Sequence, residues 1–442
     1  MLTEAVSSSL VFSSLFSLGV WSICTAVIIG WYKAPLYHPV SMYLIYHFLG
    51  YVYRPLIVYT NQYSVIWSRT RIFPGSEDII LTASLANIAL LAMLAAFVTV
   101  NRRERIEPIQ PFSLAISRPA RFWPCLILLA ALGLWGTYRS YGGAGMNTVQ
   151  AFTVAVDQSG GQRLQGVSGY ATALAEFLPP ICILLFLVPK LRALALAAIV
   201  AFVALRLYVG AQRLSFIVVI AAVALIAMMN QGRRWPKATT WAGLAITAFI
   251  FDVIGGDRFA FRRLFYGLSS PTELVSNYFE RRGSGGFAND VVEFDVASAV
   301  AKLVPSETGW SYGSQYLRLI VWPIPRQLWP DKPVYTSTVN LNEHGYFFGL
   351  THTLYMDAFM VFGVLSLAAI MFAVGYYLSK LYKTATHTQS VITMMFFWIQ
   401  LLYTKTLFRD GGVTFVYFLA FSTLAVALLT WSGGVKLCRR AP

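Results

Sequence analysis

This sequence predicts an all-α integral membrane protein with about eleven membrane-spanning helices and one large extracytoplasmic loop, and three observations predict it. Of 442 residues, 57% are hydrophobic and only 12% charged, against about 25% charged in an ordinary soluble domain. The apolar residues fall in blocks close to the ~20 needed to cross a bilayer as a helix. The formal net charge of +15 comes from Lys and Arg gathered in short gaps between blocks, where membrane orientation and lipid headgroups account for them without nucleic acid. A compact cytosolic enzyme and a largely disordered chain are both excluded.

The first block, about Leu10 to Ile29, has no basic stretch before it and no small-residue cleavage site after it. It reads as a retained helix, not a signal peptide. Further blocks lie near Pro39–Tyr59, Ile79–Val100, Phe122–Tyr138, Tyr170–Val188, Ala193–Val209, Leu214–Met229, Ala238–Ile254, Gly349–Leu378, Val391–Lys405 and Val413–Trp431. Backbone hydrogen bonds must close internally in lipid, and long apolar runs without period-two alternation favour helices over a barrel. Arg54 and Arg206 interrupt two blocks, so about ten to twelve spans are compatible with the pattern. Cys24, Cys125, Cys182 and Cys438 have neither a disulfide-framework nor a zinc-site spacing.

Loops that end alternate spans carry Lys33, then Arg102, Arg103, Arg105, Arg118 and Arg121, then Lys190 and Arg192. The same side receives Arg233, Arg234, Lys237, Lys380, Lys383, and the tail Lys436, Arg439 and Arg440. Basic residues in short loops resist translocation, so this face is expected to be cytoplasmic, with the N-terminus outside and the C-terminus inside. The chain then divides into N-terminal transmembrane helices (1–254), an extracytoplasmic loop (255–349) and C-terminal transmembrane helices (350–442).

The outer loop opens with Gly255-Gly256-Asp257-Arg258-Phe259-Ala260-Phe261-Arg262-Arg263, a headgroup anchor or a binding site for an anionic group. Glu280-Arg281-Arg282-Gly283-Ser284-Gly285-Gly286 is glycine-rich but lacks the Lys-Ser/Thr ending of a nucleotide-binding loop. Asp290-Val291-Val292-Glu293-Phe294-Asp295 reads first as a solvated acidic face, with a role in catalysis or sugar binding as the second reading, leading into an interfacial helix over Val296–Val304. The stretch from Tyr316 to Arg326 is apolar, too short to cross, and closed by prolines. It is expected to rest at the interface or dip into a protein-lined cavity.

The string Trp322-Pro323-Ile324-Pro325-Arg326-Gln327-Leu328-Trp329-Pro330-Asp331-Lys332-Pro333 resembles the Pro-Arg-x-Leu-Trp-Pro-x-Lys-Pro signature of bacterial oligosaccharide repeat-unit polymerases, the O-antigen and capsule polymerase group. A glycine-containing stretch, His344-Gly345-Tyr346-Phe347-Phe348-Gly349, and a final group of helices follow it, as in that family. Gly210-Ala211-Gln212-Arg213 is similar to its Gly-x-x-Arg region. The resemblance covers residues 316–363 well and the helical layout weakly. It implies an architecture like that of polytopic, lipid-phosphate-dependent glycosyltransferases (GT-C-like). The implied activity is transfer of an undecaprenyl-diphosphate-linked glycan onto a second lipid-linked repeat unit, by direct displacement that inverts the anomeric carbon and needs no metal or other cofactor. Membrane lipids and a chain-length regulator are the further partners it implies. An O-antigen ligase or another lipid-linked sugar transferase is the nearest alternative reading, and a polysaccharide or lipid transporter the next.

Such a reaction needs cations against a diphosphate leaving group, and Arg suits it because its planar fork can hold two phosphate oxygens. Arg206 and Arg213 bracket a short outer turn; Arg206 either contacts phosphate or is a snorkelling or paired structural charge. Arg326 and Lys332 flank the proline-tryptophan turn, whose rigidity suits a site. Arg318 and Arg258 are further diphosphate candidates, with interface anchoring as the plainer role. Trp322 and Trp329 suit headgroups or a sugar ring. For the base that takes the acceptor proton, His352, Glu343 and Asp357 are the candidates, with Asp357 alternatively paired to an Arg. Arg409-Asp410 reads as a turn cap between the last two spans.

Overall fold

Helix α1 (Glu4–Thr25) starts where the Thr3 side chain accepts the Val6 N–H at 3.4 Å, and it runs on through a π-helical turn, Ala26–Trp31. The computed structural model describes residues 2–139 (position 103 excepted), 173–208, 214–243, 291–321 and 352–439, with a few further positions between 264 and 280 and at 324, 328 and 329. A second helical run follows as α2 (Pro39–His47), a π turn (Phe48–Tyr53) and α3 (Arg54–Asn61). Pro39 occupies the first helical position, where its missing N–H costs nothing, and His38 Nδ1 accepts the Val40 N–H at 3.2 Å. After α4 (Val65–Thr70) comes α5 (Ser76–Asn101), where the Asp78 carboxylate accepts the Gly75 N–H at 2.8 Å. Acidic residues in this first turn favour the positive end of the helix dipole.

Among the described residues the further α-helices are α6 (Pro119–Thr137), α7 (Leu178–Leu187), α8 (Arg192–Tyr208), α9 (Leu214–Asn230), α10 (Glu293–Leu303), α11 (Ser314–Val321), α12 (Leu354–His387), α13 (Val391–Leu402) and α14 (Thr404–Gly433). Five helices among the described residues are long and apolar enough to cross a membrane: Glu4–Trp31, Ser76–Asn101, Pro119–Thr137, Pro189–Tyr208 and Leu354–His387. Val391–Leu402 with Thr404–Gly412, bent by 62°, makes a sixth if counted as one span. The expected block at Pro39–Tyr59 is helical but carries His47, Arg54 and several tyrosines, so it is not among these. Ala173–Leu187, Val219–Asn230 and Phe418–Gly433 are apolar but shorter. Most of the expected block Ala238–Ile254 lies outside the described residues.

Helix α12 packs along α5 at the centre of the bundle. Gly375 permits the approach, because a Cβ there would lie 3.0 Å from Met93 Cα and 3.1 Å from Ala96 Cβ. Small residues are what allow helix backbones to close in where lipid gives no hydrophobic drive.

Loops expected on the basic face do meet at one end. Arg234 donates to Lys33 O at 2.7 Å, the Leu36 N–H to Arg234 O at 2.9 Å, and the Ile106 N–H to Tyr32 O at 2.9 Å. The Tyr382 hydroxyl donates to Glu107 O at 2.9 Å, and Arg439 to Thr388 O at 2.6 Å. A two-stranded antiparallel ribbon closes this basic end, β1 (Phe112–Ile116) against β2 (Val435–Arg439), with Phe112 opposite Arg439. The ribbon departs from the all-helical expectation: two short segments from distant loops pair there. At the opposite end Ser7 meets Gln62 at 3.4 Å and Lys302 donates to Phe73 O at 2.7 Å, which gathers the starts of α1 and α5 around α10.

Candidate active site

Helices break close together away from the basic end. Helix α12 is interrupted at Phe362 (φ −161°, ψ 41°) and Gly363 (φ 73°, ψ −151°), so Leu354–Val361 forms a separate short segment. The chain bends at Tyr403, between α13 and α14, and α14 breaks again at Gly411 (φ 80°, ψ 172°). Broken backbone at membrane depth survives only where protein or a water-lined cavity satisfies it. Here residues just before and at the start of α11 supply the partners. The Ser311 N–H and hydroxyl donate to Met360 O at 2.8 and 3.0 Å, the Tyr312 N–H to Val361 O at 3.2 Å, and Gln315 Nε2 to Asp357 O at 3.0 Å. Ser366 bridges the break, accepting from the Phe362 N–H at 2.9 Å and donating to Ala358 O at 2.7 Å.

Charged groups converge on these breaks. Arg409 Nε lies 3.6 Å from Glu293 Oε1 and 3.7 Å from Asp410 Oδ1. Glu293 is buried, whereas the Arg409 side chain keeps 26% exposure, so the pair joins an interior carboxylate to the surface. Burial pushes the Glu293 carboxyl above the usual range, and the charges of Arg409 and Lys405 oppose that rise. Asp357 sits directly against Gly411, where any Cβ would overlap its carboxylate. His352 is buried beside the same glycine, and burial pulls its imidazole down to about 4, so it is neutral at physiological pH.

A wall of aromatic residues packs behind this cluster of charged groups, the chamber. Tyr43 packs on Phe408 with ring centroids 4.4 Å apart, His47 on Tyr51 at 5.1 Å, and Tyr51 on Tyr355 at 5.3 Å. Tyr46 stands between Tyr43, Tyr51 and Phe408. Gly50, in the π turn, faces Glu293: a Cβ there would lie in ordinary contact with Glu293 Cβ at 3.8 Å. Such π-helical irregularities are frequent at functional sites. The chamber is thus built from the run 39–61, the start of α10, the segment before Gly363, and the stretch 404–412.

Among the described residues, two other buried ion pairs lie outside the Glu293–Arg409 contact. Arg54 Nε and Nη2 grip Asp295 Oδ1 and Oδ2 at 2.9 and 2.7 Å; Ser64 also donates to that carboxylate, and Trp67 Nε1 to Asp295 O at 3.0 Å. Arg206 Nη2 faces Glu176 Oε1 at 3.4 Å, and Glu176 Oε2 accepts the Tyr403 hydroxyl at 2.9 Å. The Ser422 hydroxyl donates to Glu176 O at 3.2 Å, so this second network clamps the bend at Tyr403.

Of the sequence candidates, His352 and Asp357 are brought together with Glu293 and Arg409, while Arg206 belongs to the Glu176 network, the paired role weighed for it. The backbone of Arg318 lies in α11, an amphipathic helix with Gln315 buried but Leu317 and Ile320 63% and 76% exposed. That is the geometry of a segment lying against an apolar phase. Trp329 is exposed. Arg213, Arg258, Trp322, Arg326, Lys332 and Glu343 lie outside the described residues.

The acidic stretch requires a correction. Glu293 and Asp295 are buried, not solvated, and α10 is an interior helix, not an interfacial one. The cause is remote pairing, since each carboxylate meets an Arg from another part of the chain. Sequence reasoning also missed Glu176 and the tyrosine wall. The one local signal was the spacing of Glu293 and Asp295 among apolar residues, which fits a buried helix as well as a half-exposed one. No family model, curated protein or solved structure matches this chain.

Proposed function

We propose that this chain is a glycan polymerase of the bacterial inner membrane, joining undecaprenyl-diphosphate-linked oligosaccharide repeat units on the periplasmic side. The observation that carries the reading is the Glu293–Arg409 pair, a buried carboxylate against a partly exposed guanidinium at 3.6 Å, set where helices break. The resemblance of residues 322–333 to the polymerase signature supports the same donor, and the exposed apolar side chains of α11, Leu317 and Ile320, support delivery of that donor from the membrane surface.

In this mechanism Arg409, with Lys405 behind it, takes the charge that grows on the diphosphate as the bond from the anomeric carbon to the leaving oxygen lengthens. Release of Arg409 toward the diphosphate frees Glu293 to act as general base. Glu293 accepts the proton of the acceptor sugar hydroxyl, whose oxygen forms the new bond to the anomeric carbon. Undecaprenyl diphosphate leaves, and that carbon is inverted. Asp357 and neutral His352 orient the acceptor. Arg206, already neutralised by Glu176, positions the Tyr403 bend and through it the helix that carries Arg409. Arg213, Arg258, Arg318, Arg326 and Lys332 are retained as diphosphate contacts, Trp322 and Trp329 as glycan contacts, and Glu343 as an acceptor contact.

The test is elongation of lipid-linked repeat units by the purified protein in proteoliposomes. Wild type is expected to make polymer ladders, and Arg409→Ala and Glu293→Gln to lose at least ~100-fold in rate, out of proportion to any lost thermal stability. Ladders at the wild-type rate from both variants would remove the chamber from the reaction. Product formed only with a lipid A core acceptor would make the enzyme a ligase. Sidedness is checked in intact cells with a membrane-impermeant thiol reagent. Tyr312→Cys, exposed near the chamber, should label from outside, and the exposed Cys438 of the basic end only after permeabilisation. Both labelling from one side would overturn the topology.

A further inference from the structure

Arg409 meets Oε1 of Glu293, whereas Oε2 is buried and accepts no hydrogen bond among the described residues. A buried carboxylate oxygen left bare is costly. An orphaned donor lies in the same place: the Tyr46 hydroxyl is likewise sealed from solvent and without a hydrogen-bond partner among the described residues. We propose that Tyr46 is the positioning residue of the base, donating its O–H to Glu293 Oε2 once Arg409 turns from that carboxylate to the diphosphate.

Packing sets Tyr46 between the two partners of the ion pair. It stands four residues before Gly50 on one helical run, so the two project to the same side, and Gly50 faces Glu293 Cβ. On its other flank the Tyr46 ring lies 6.1 Å from that of Phe408, the residue before Arg409. Among charged groups Glu293 acts most strongly on the Tyr46 hydroxyl, ahead of Arg409 and Asp410. The neighbouring tyrosines differ. Tyr43 also packs on Phe408, but its hydroxyl is influenced by Cys24, while those of Tyr51 and Tyr355 act chiefly on each other.

This role rests on the base function proposed for Glu293. When Arg409 leaves, the carboxylate loses its nearest neutralising charge, and a hydroxyl donor to Oε2 steadies the anion in its place. The same bond fixes the carboxyl plane, so that Oε1 faces the acceptor hydroxyl and takes its proton while Tyr46 keeps its own. The other ionisable groups around Glu293 are Lys405, Arg409 and Asp410 from the stretch 404–412, and Arg54 with its partner Asp295. Tyr51 and Tyr355 complete the set. Helix α5, packed along α10, carries its charges, Glu77 and Asp78, in its first turn.

Infrared pH titration of the purified full chain tests the contact without any need for activity, the Glu293 carboxyl band being assigned by its loss in Glu293→Gln. In an Arg409→Ala background, which releases the carboxylate, adding Tyr46→Phe is expected to raise the protonation midpoint by about one pH unit, because the ionised form loses a donor. With Arg409 present and lipid-linked repeat units supplied, Tyr46→Phe alone should move the acid limb of the elongation rate upward by a similar amount. Tyr43→Phe, which likewise keeps its ring on Phe408, should move neither. A purely packing role for Tyr46 would lower the rate at every pH and leave midpoint and limb where they were, and that result would overturn the proposal, as would equal shifts from Tyr43→Phe. A raised midpoint together with wild-type elongation by Glu293→Gln would uphold the hydrogen bond and remove the base function instead, so the two readings fail separately.

Discussion

At the basic end Lys383 meets Glu104 at 3.8 Å with both side chains largely in solvent, whereas near the chamber Arg54 grips Asp295 at 2.7 Å with both nearly sealed off. Surface pairs of the first kind contribute little, because water and salt screen them and long side chains lose freedom in making them. A sealed pair of the second kind is held by geometry: each ion has given up its hydration and depends wholly on its partner. One end therefore keeps its charges in solvent, and the other seals charge inside, close to the broken helices. Glu293–Arg409 stands between these extremes, buried on one side and reachable on the other, which is what a group that must both be tuned and meet a ligand requires.

The sharpest way to break this contrast is Arg54→Ala, which strands the Asp295 carboxylate and should cost about 3–5 kcal/mol of stability. Lys383→Ala at the basic end should leave thermal unfolding unchanged within error. Equal shifts from the two variants, measured in the same detergent, would erase the distinction. Gly411→Ala should come next, at ~1–3 kcal/mol for the left-handed backbone alone, with more from overlap on the Asp357 carboxylate. Loss of elongation out of proportion to the lost stability would tie that break to the site.

A smaller effect sharpens the picture of the chamber itself. Glu293 must be ionised to act as base, so the elongation rate should fall as pH drops through a value above the ordinary glutamate range, because burial raises that carboxyl. Lys405→Gln removes a positive charge that holds it down, so the acid limb should move to higher pH. An unmoved limb in the pH–rate profile would take Glu293 out of the proton transfer.

Several apolar runs read from sequence return as helices at nearly the same bounds: Ile79–Val100 within Ser76–Asn101, Phe122–Tyr138 against Pro119–Thr137, and Ala193–Val209 against Pro189–Tyr208. The loops assigned to one face by their Lys and Arg also meet at one end. Both signals are local, since each run or loop carries its own. Neither the break at Phe362–Gly363 nor the bend at Tyr403 had such a mark, and Arg409, read as a turn cap, does lie beside Asp410 but reaches Glu293 as well. Of the candidate site, His352 and Asp357 were legible as unusual polar groups near a span end, Glu293 only as one of an acidic stretch whose first reading was solvation, and Tyr46 not at all.

The amino-acid sequence alone determined that this chain is helical and membrane-like, roughly where its apolar helices run, and which loops share an end. Those properties are sums over neighbouring residues: hydropathy, helix-compatible length, and charge between apolar runs. Only the tertiary structure decided which carboxylate meets which guanidinium and which helices break. A buried ion's partner is chosen by contact in space, and Asp295 finds Arg54 from 241 positions away in the chain.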